Sequence, residues 1–544
     1  MTGRQKGLLA LAPALLVLGL AGCGGGGGGS ASTPTPPTPT PPPPPPPDPD
    51  PQPTWVQGEF AAQTEFKDRC ATPRTGTNPF TNQPYPDVEG SELEEKMWLR
   101  SFTYDTYLWF DEVPDNDPND FEVLPYFDQL KTTELTASGK PKDNFHFYQD
   151  TAEYLERTQG GVSSGYGIAW EFIRTTPPRV LTVRYTEPGS PADVAGISRG
   201  ESVVEVNGAD FVNSNSQADI DLINAALFPS QDGETYTFVL ENPEGERTTY
   251  EITSGEVVIS PVQNTQVLDT AQGKVGYFQF NTFIPKAQEG LIAAFNSFVD
   301  ENITDLVIDL RYNGGGRVAL SSQLAYMVAG PVQTNGLLFE RNVTNGKLQG
   351  NETPFYSREI DYEQGFLLNT ELPSPSLTRV YVLTTDSTCS ASESLINGLR
   401  GIDVEVVQIG GTTCGKPFGF VPEDNCGITY FTIQVQGQND KGFGDFQEGF
   451  SAFEDPNPNF QDQLPGCVVE DDLTKPLGDP SEAMLSAALG HMVSGECPAV
   501  RVGKSSSAQQ AQLTNGESGL SIKQPNVMLD AIINDVHDNI VDPQ

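Results

Sequence analysis

From residue 274 to residue 330 the chain alternates strand and helix, and this rhythm constrains the fold more than any other feature. Lys274-Val275-Gly276-Tyr277-Phe278-Gln279-Phe280 is a β-type run, Glu289 to Val299 is helical in pattern, and Asp305 to Leu310 predicts a buried strand. Such alternation argues an α/β core. It resumes at Val380-Tyr381-Val382-Leu383 and closes near Cys497. The core is expected over 257–500, with a polar, loop-like insertion at about 333–372.

A chain of 544 residues exceeds what one core usually holds, so a multidomain α/β protein is expected. Residues 57–157 predict an N-terminal helical domain. Glu92 to Leu99 starts a helix, and Tyr104, Tyr107, Leu108, Trp109 and Phe110 extend an aromatic surface best read as core packing. Residues 158–256 are β-rich, with runs Val180–Val183, Ser202–Val206 and Tyr236–Leu240 between Gly and Pro turns. Residues 24–56 form a tether, six glycines and then a Pro/Thr stretch that favours extended polyproline. Residues 501–544 read as a polar, loosely ordered tail apart from Val527–Ile533.

The first 23 residues read as a targeting segment. Arg4 and Lys6 precede an apolar run, Leu8 to Leu20, that is too short to span a bilayer comfortably. The run ends Leu20-Ala21-Gly22-Cys23, which resembles a bacterial lipoprotein signal. That resemblance implies lipidation of Cys23. Gly24 rather than Asp after the cysteine implies the outer membrane, facing the periplasm. The membrane is then met only through this N-terminal anchor.

Lys and Arg number 31 against 73 Asp and Glu, a formal charge of -42. Nucleic acid is a poor partner for such a surface, because phosphate binding needs clustered cations. Six cysteines remain beyond Cys23, at 70, 389, 414, 426, 467 and 497, and an even count in an exported protein suggests disulfides. The pairs nearest in sequence, Cys414 with Cys426 and Cys467 with Cys497, are the expected ones. No CxxC pair exists and histidine is scarce, so a zinc site is not expected; the reading calls for no metal and no cofactor.

Three stretches carry candidate chemistry. In Thr385-Asp386-Ser387-Thr388-Cys389-Ser390-Ala391-Ser392-Glu393 a strand runs through a polar turn into a helix. Ser390 sits at the helix N-terminus, where unpaired N–H groups favour developing negative charge; the plainer reading is an N-cap with Glu393 completing a capping box. One strand later comes Gly411-Thr412-Thr413-Cys414-Gly415-Lys416-Pro417. A lysine among small residues between β runs is open to desolvation, which favours the neutral amine, although a surface lysine is the commoner fate. The third stretch, Asp309-Leu310-Arg311-Tyr312-Asn313-Gly314-Gly315-Gly316, is a strand ending in a glycine turn whose N–H groups could hold an oxyanion, or a plain tight turn.

Together, in this order, the three stretches resemble the S41 serine peptidases, the C-terminal-processing or tail-specific proteases. The resemblance covers about residues 90 to 500. It implies a ClpP/crotonase-like protease core in which Ser390 is the nucleophile and Lys416 the general base. It also implies an oxyanion hole of the Ala391 N–H with that of Gly315 or Gly316. One position departs from the pattern: many members have Gln four residues after the lysine, where this chain has Phe420. Gln434 or Gln436 is the expected substitute. Only His146, His491 and His537 exist, none in these stretches, which disfavours a Ser-His-Asp arrangement.

Ser163-Ser164-Gly165-Tyr166-Gly167-Ile168, followed by Pro188 to Ala192, Ala195 to Ile197 and Val206-Asn207-Gly208, resembles a PDZ domain. The resemblance implies that Ser164, Gly165, Tyr166, Gly167 and Ile168 cradle a chain-terminal carboxylate while the bound peptide adds as a strand. The expected function is an endopeptidase that cleaves exported proteins chosen by unstructured C-terminal tails. The competing class, kept open by Phe420, is a non-catalytic peptide-binding scaffold of the envelope.

Overall fold

The computed structural model describes residues 52–152, 154–155, 162–498, 519–523 and 540–542. The expected signal with Cys23, residues 24–51 of the tether and most of the 501–544 tail lie outside the described residues.

The α/β rhythm forms a seven-stranded sheet. Its spatial order is Val262–Thr270, Gly273–Phe280, Asp305–Asp309, Arg379–Thr384, Glu405–Gly410, Gln463–Cys467, Ser451–Phe453. The first pair is antiparallel and every other pair is parallel. Parallel strands covered on both faces need apolar side chains on both, and this sequence supplies them alternately. Phe278, Leu306, Ile308, Val380, Val382 and Val406 pack in one cluster with the helices Ala287–Glu301, Val318–Gln333 and Ala391–Gly401. Tyr277, Val307, Tyr381, Leu383, Val407 and Ile409 face the other way, onto Met484, Leu485, Ala487 and Ala488 of the helix Ala483–Ser494. The loops after Asp309, Thr384 and Gly410 therefore leave the same edge of three adjacent strands, the carboxyl edge where open α/β sheets build their sites.

Residues 162–258 form a second unit. Its sheet runs Arg247–Thr253, Thr235–Glu241, Ser202–Val206, Val180–Thr186, Ile168–Arg174, and the helix Gln217–Leu227 buries Ile220, Ile223, Ala226 and Leu227 against it. Val162–Gly165 pairs antiparallel with Gly255–Val258, so the chain enters and leaves this unit side by side. Part of the expected loose tail packs here too. Ile522 is buried in this unit's core, its N–H donates to the Thr175 carbonyl, and the N–H groups of Leu520 and Lys523 donate to Asn215 and Asn224.

The N-terminal helix spans Glu92–Thr106 and is capped by Ser91, whose hydroxyl accepts from the Glu94 N–H. The segment around it is not purely helical. Phe147–Asp150 pairs with the core strand Ile428–Phe431, and Cys70 is bonded to Cys426. This corrects the expected Cys414–Cys426 pair: the strands around 423–431 face the N-terminal segment, and Cys414 instead meets Cys389. Cys467–Cys497 forms as expected. The insertion at 333–372 also differs from a loop. It contains the strands Leu338–Thr344, Glu352–Pro354, Arg358–Asp361 and Phe366–Glu371, the first of which pairs with Val435–Gln438. Among the described residues, no helix is long and apolar enough to cross a membrane.

Candidate active site

The loop leaving the strand Arg379–Thr384 turns directly into the helix Ala391–Gly401, and Ser390 stands at the turn, 3% exposed. Its backbone is at φ 54°, ψ −114°, a conformation L residues rarely adopt. Such strain costs ~1–3 kcal/mol and persists only where neighbours over-determine it. The neighbours are evident. The Cys389 N–H and the Ser392 hydroxyl both donate to the Asn313 carbonyl, each at 3.0 Å, and the Thr388 hydroxyl donates to the Leu310 carbonyl at 2.8 Å. The glycine turn thus braces the serine turn from one side.

Glu393 braces it from the other. This carboxylate is fully buried and accepts from the Ser390 N–H (3.0 Å), the Lys416 N–H (2.8 Å), the Gly415 N–H (2.8 Å) and the Thr413 hydroxyl (2.5 Å). Burial pushes its pKa above the ordinary carboxylate value, and the donors around it pull the other way. Oε2 serves both Ser390 and Lys416, so their backbone nitrogens lie within two hydrogen-bond lengths of each other. The capping box expected at 390–393 therefore exists, and its acid also holds the lysine loop. The Cys389–Cys414 disulfide joins the same two loops covalently. The two sulfurs and the Glu393 carboxylate lie close together, but the sulfurs are bonded to each other and do not form a ligand set.

Gly315 lies against the serine. A Cβ there would come within 2.8 Å of the Ser390 Cβ and 3.1 Å of the Ala391 nitrogen, and its φ of +114° is itself costly for an L residue. Only glycine admits this approach. Its own N–H donates to Asn313 Oδ1 at 2.9 Å. Gly316 instead bridges to Phe283.

Lys416 is 1% exposed, and its Nζ lies 4.1 Å from the Phe420 ring centroid and 5.7 Å from that of Phe145. These rings belong to an aromatic cluster with Tyr107, Phe147, Phe418 and Phe431, so the N-terminal segment supplies part of the wall behind the lysine. The side-chain amides of Gln434 and Gln436 donate to the carbonyls of Val421 and Gly444. The ring of Phe420 stands beside the amine. A cavity of about 360 Å³ opens next to it, lined by Phe102, Thr106, Asn342, Phe420 and Gln434 among others. His146 bonds the Phe127 carbonyl and the Thr432 hydroxyl, and His491 bonds the Tyr381 hydroxyl.

Arg311 takes no part in this cluster. Its buried guanidinium grips Asp309, Asp471 and both oxygens of Glu482, pinning the strand end to the cap of the helix Ala483–Ser494. Asp471 in turn receives Arg199 and the Tyr312 hydroxyl. Arg199 belongs to the 162–258 unit, so this network joins that unit to the core beside the glycine turn.

The stretch 164–168 lies at the start of the strand Ile168–Arg174, which is the edge of its sheet. The Ser164 hydroxyl donates to Asp232 at 2.5 Å, and Tyr166 is buried against Phe238. Gly167 has φ +75°, and a Cβ there would lie 2.3 Å from the Ser190 Cβ. Its carbonyl accepts from the Glu187 N–H. Glu393, Asn313, Phe145 and Cys389 are the residues that sequence reasoning left outside the site. Asn313 and Cys389 stand in the motif stretches, and Glu393 has a spacing of three from the serine, which capping alone explains; Phe145 had no signal.

Residues 274–422, the span that contains all three motif loops, match the model of peptidase family S41. The chain is 29% identical over 174 residues to a carboxyl-terminal-processing protease of Picosynechococcus, covering 31% of this chain and 40% of that protein. It is 26% identical over 247 residues to the chloroplastic carboxyl-terminal-processing peptidase 3 of Arabidopsis thaliana, covering 43% and 42%. These matches span less than half of either relative. Among solved structures, a Bacteroides fragilis protein assigned to the S41 proteases aligns with TM-score 0.56 at 23% identity, over 76% of this chain and 98% of that one, a likeness of fold. The chain is thus similar in sequence to the C-terminal-processing peptidases of family S41 and shares the mixed α/β, multidomain fold of an S41 protease.

Proposed function

We propose that the chain is a serine endopeptidase with Ser390 as nucleophile and Lys416 as general base. The observation that carries this reading is the single buried carboxylate of Glu393 holding the backbones of both residues at the carboxyl edge of one sheet. Ser390 Oγ attacks the substrate carbonyl while Lys416 Nζ takes its proton. Burial of the amine supports this role, because loss of water disfavours the charged form. The Ala391 N–H, at the first turn of the helix and aided by its dipole, receives the developing oxyanion. The Gly315 N–H is already given to Asn313, so that glycine's part is to admit the close approach; a second donor would come from the same turn, at Gly316. Lys416 then returns the proton to the leaving amine, and water hydrolyses the acyl-enzyme.

The unit 162–258 serves as a PDZ domain. Its edge strand at Ile168 accepts an extended peptide, and the turn Ser164–Ile168 meets the terminal carboxylate. Substrates are polypeptides with unstructured C-terminal tails. The folded part works in the cell envelope, held by lipidated Cys23 to the outer membrane and facing the periplasm.

The test is digestion of a chemically unfolded protein by the wild type, Ser390→Ala and Lys416→Ala. Each variant should lose about a thousandfold or more in kcat. Variants that digest at the wild-type rate would end the peptidase reading and leave a tail-binding module.

A further inference from the structure

The mechanism uses Ser390 and Lys416 but not the covalent bond between their loops. Cys389 directly precedes Ser390, and Cys414 precedes Lys416 by two residues; the bridge closes a separation of 25. Beside it, the Cys414 N–H donates to the Thr388 carbonyl at 3.0 Å, and the Gly415 and Lys416 N–H groups donate to Glu393. The bridge is therefore one of the ties that hold Ser390 in its strained conformation and the base loop against it. It is also asymmetric in access: Cys389 is buried, while Cys414 is only partly buried.

We propose that the Cys389–Cys414 disulfide is a positioning device for the Ser390–Lys416 pair, set by oxidation and released by dithiol reductants. The inference rests on the peptidase reading above. In the release step a reductant thiolate attacks Cys414 Sγ, and Cys389 leaves as a thiolate and takes a proton. The second reductant thiol then attacks the mixed disulfide, freeing Cys414 as a thiol and leaving the reductant as a disulfide. With the bond gone, residue 389 can relax the turn at 390, and the base loop keeps only its hydrogen bonds. A chain still in a thiol-rich compartment holds its dyad loosely. Thiol oxidation by a disulfide donor is the class of reaction that sets it.

The test compares the full-length wild type with Cys389→Ala/Cys414→Ala, each with and without excess dithiothreitol, on a chemically unfolded protein. Dithiothreitol should lower wild-type kcat about tenfold to a hundredfold with KM little changed, as a displacement near 1 Å does, and reoxidation should restore it. The double variant should start at the low rate and show no further response, although dithiothreitol still reduces its other two bridges. A double variant with wild-type kcat, or one that dithiothreitol slows as much as the wild type, overturns the proposal. Amide hydrogen exchange at Gly415 and Lys416 gives a readout independent of activity. Exchange there should quicken at least tenfold in the reduced wild type and in the double variant, and unchanged protection overturns the proposal even if the protein proves not to be a peptidase.

Discussion

Replacing Glu393 tests whether the site depends on one buried carboxylate. In Glu393→Gln the amide oxygen can serve only one pair of donors. If the amide NH2 takes the place of Oε2, it faces the Ser390 and Lys416 N–H groups and orphans both. If it takes the place of Oε1, it faces the Thr413 hydroxyl, which can rotate to accept, and orphans only the Gly415 N–H. A buried donor without an acceptor costs ~1–3 kcal/mol, so the second orientation wins at about that price. Part is offset, because burial raises the pKa of Glu393 and the neutral amide escapes the desolvation of a charge. The melting temperature should therefore move little. On the peptidase reading catalysis should suffer more, since the orphaned N–H belongs to the residue before Lys416: kcat should fall about tenfold to a hundredfold. Glu393→Ala removes all four acceptor contacts and should fall to about the level of Ser390→Ala. The assay is kcat on an unfolded protein read beside a thermal melt. A Gln variant with full kcat, or one whose loss is matched by its unfolded fraction, refutes the argument.

Burial pushes Glu187 up to about 7, opposed by the Ser260 N–H and by Lys286. A raised carboxyl is bound to its proton more tightly in the folded state, so its contribution to stability is whole below about pH 4.5 and is lost as pH rises through 7, at most about 3 kcal/mol in all. Urea melts of Glu187→Gln should gain that much on the wild type between about pH 4.5 and pH 8, and parallel curves would refute it. The Phe420 ring stands beside the Lys416 amine, 4.1 Å from Nζ to its centroid. On the peptidase reading Phe420→Ala should therefore lower kcat on an unfolded protein about tenfold to a hundredfold; an unchanged kcat refutes the role. Ile522→Ala should cost about 2–5 kcal/mol in the unfolding of the 162–258 unit if its burial is structural, read by chemical denaturation.

The core was legible because a parallel sheet covered on both faces leaves a strong pattern: Asp305–Asp309 is buried at every position, and its flanks are helices of ordinary length. The insertion was not legible for the converse reason. Leu338–Thr344 and Phe366–Glu371 are half-exposed strands rich in Asn, Thr and Glu, and their partners are distant in sequence or short, so composition resembles that of a loop. Proximity in sequence likewise misled the cysteine pairing. Cys414 is bonded to the serine turn, while Cys426, in the turn between Glu423–Asn425 and Ile428–Phe431, finds a partner 356 residues away.

The candidate site was legible as three motifs, and the contacts that hold those motifs together were not. Ser390, Lys416 and the glycine turn are named by their joint order, each where a strand ends; alone, each reads as a cap, a surface lysine or a plain turn. What joins them is non-local. Glu393 looks like a cap because its near partner, Ser390, is three residues away, while its other donors lie 20 to 23 residues on. Phe420 looks like the loss of an orienting amide, yet it stands in a wall to which the N-terminal segment contributes Tyr107, Phe145 and Phe147. Read with the segment that packs on it, the same residue sets a ring face beside the amine. The strain at Ser390 makes this more than a matter of description. A conformation costing ~1–3 kcal/mol is held only where several independent contacts agree, and here the glycine turn, the buried acid three residues on and the disulfide to the lysine loop all act on the serine turn.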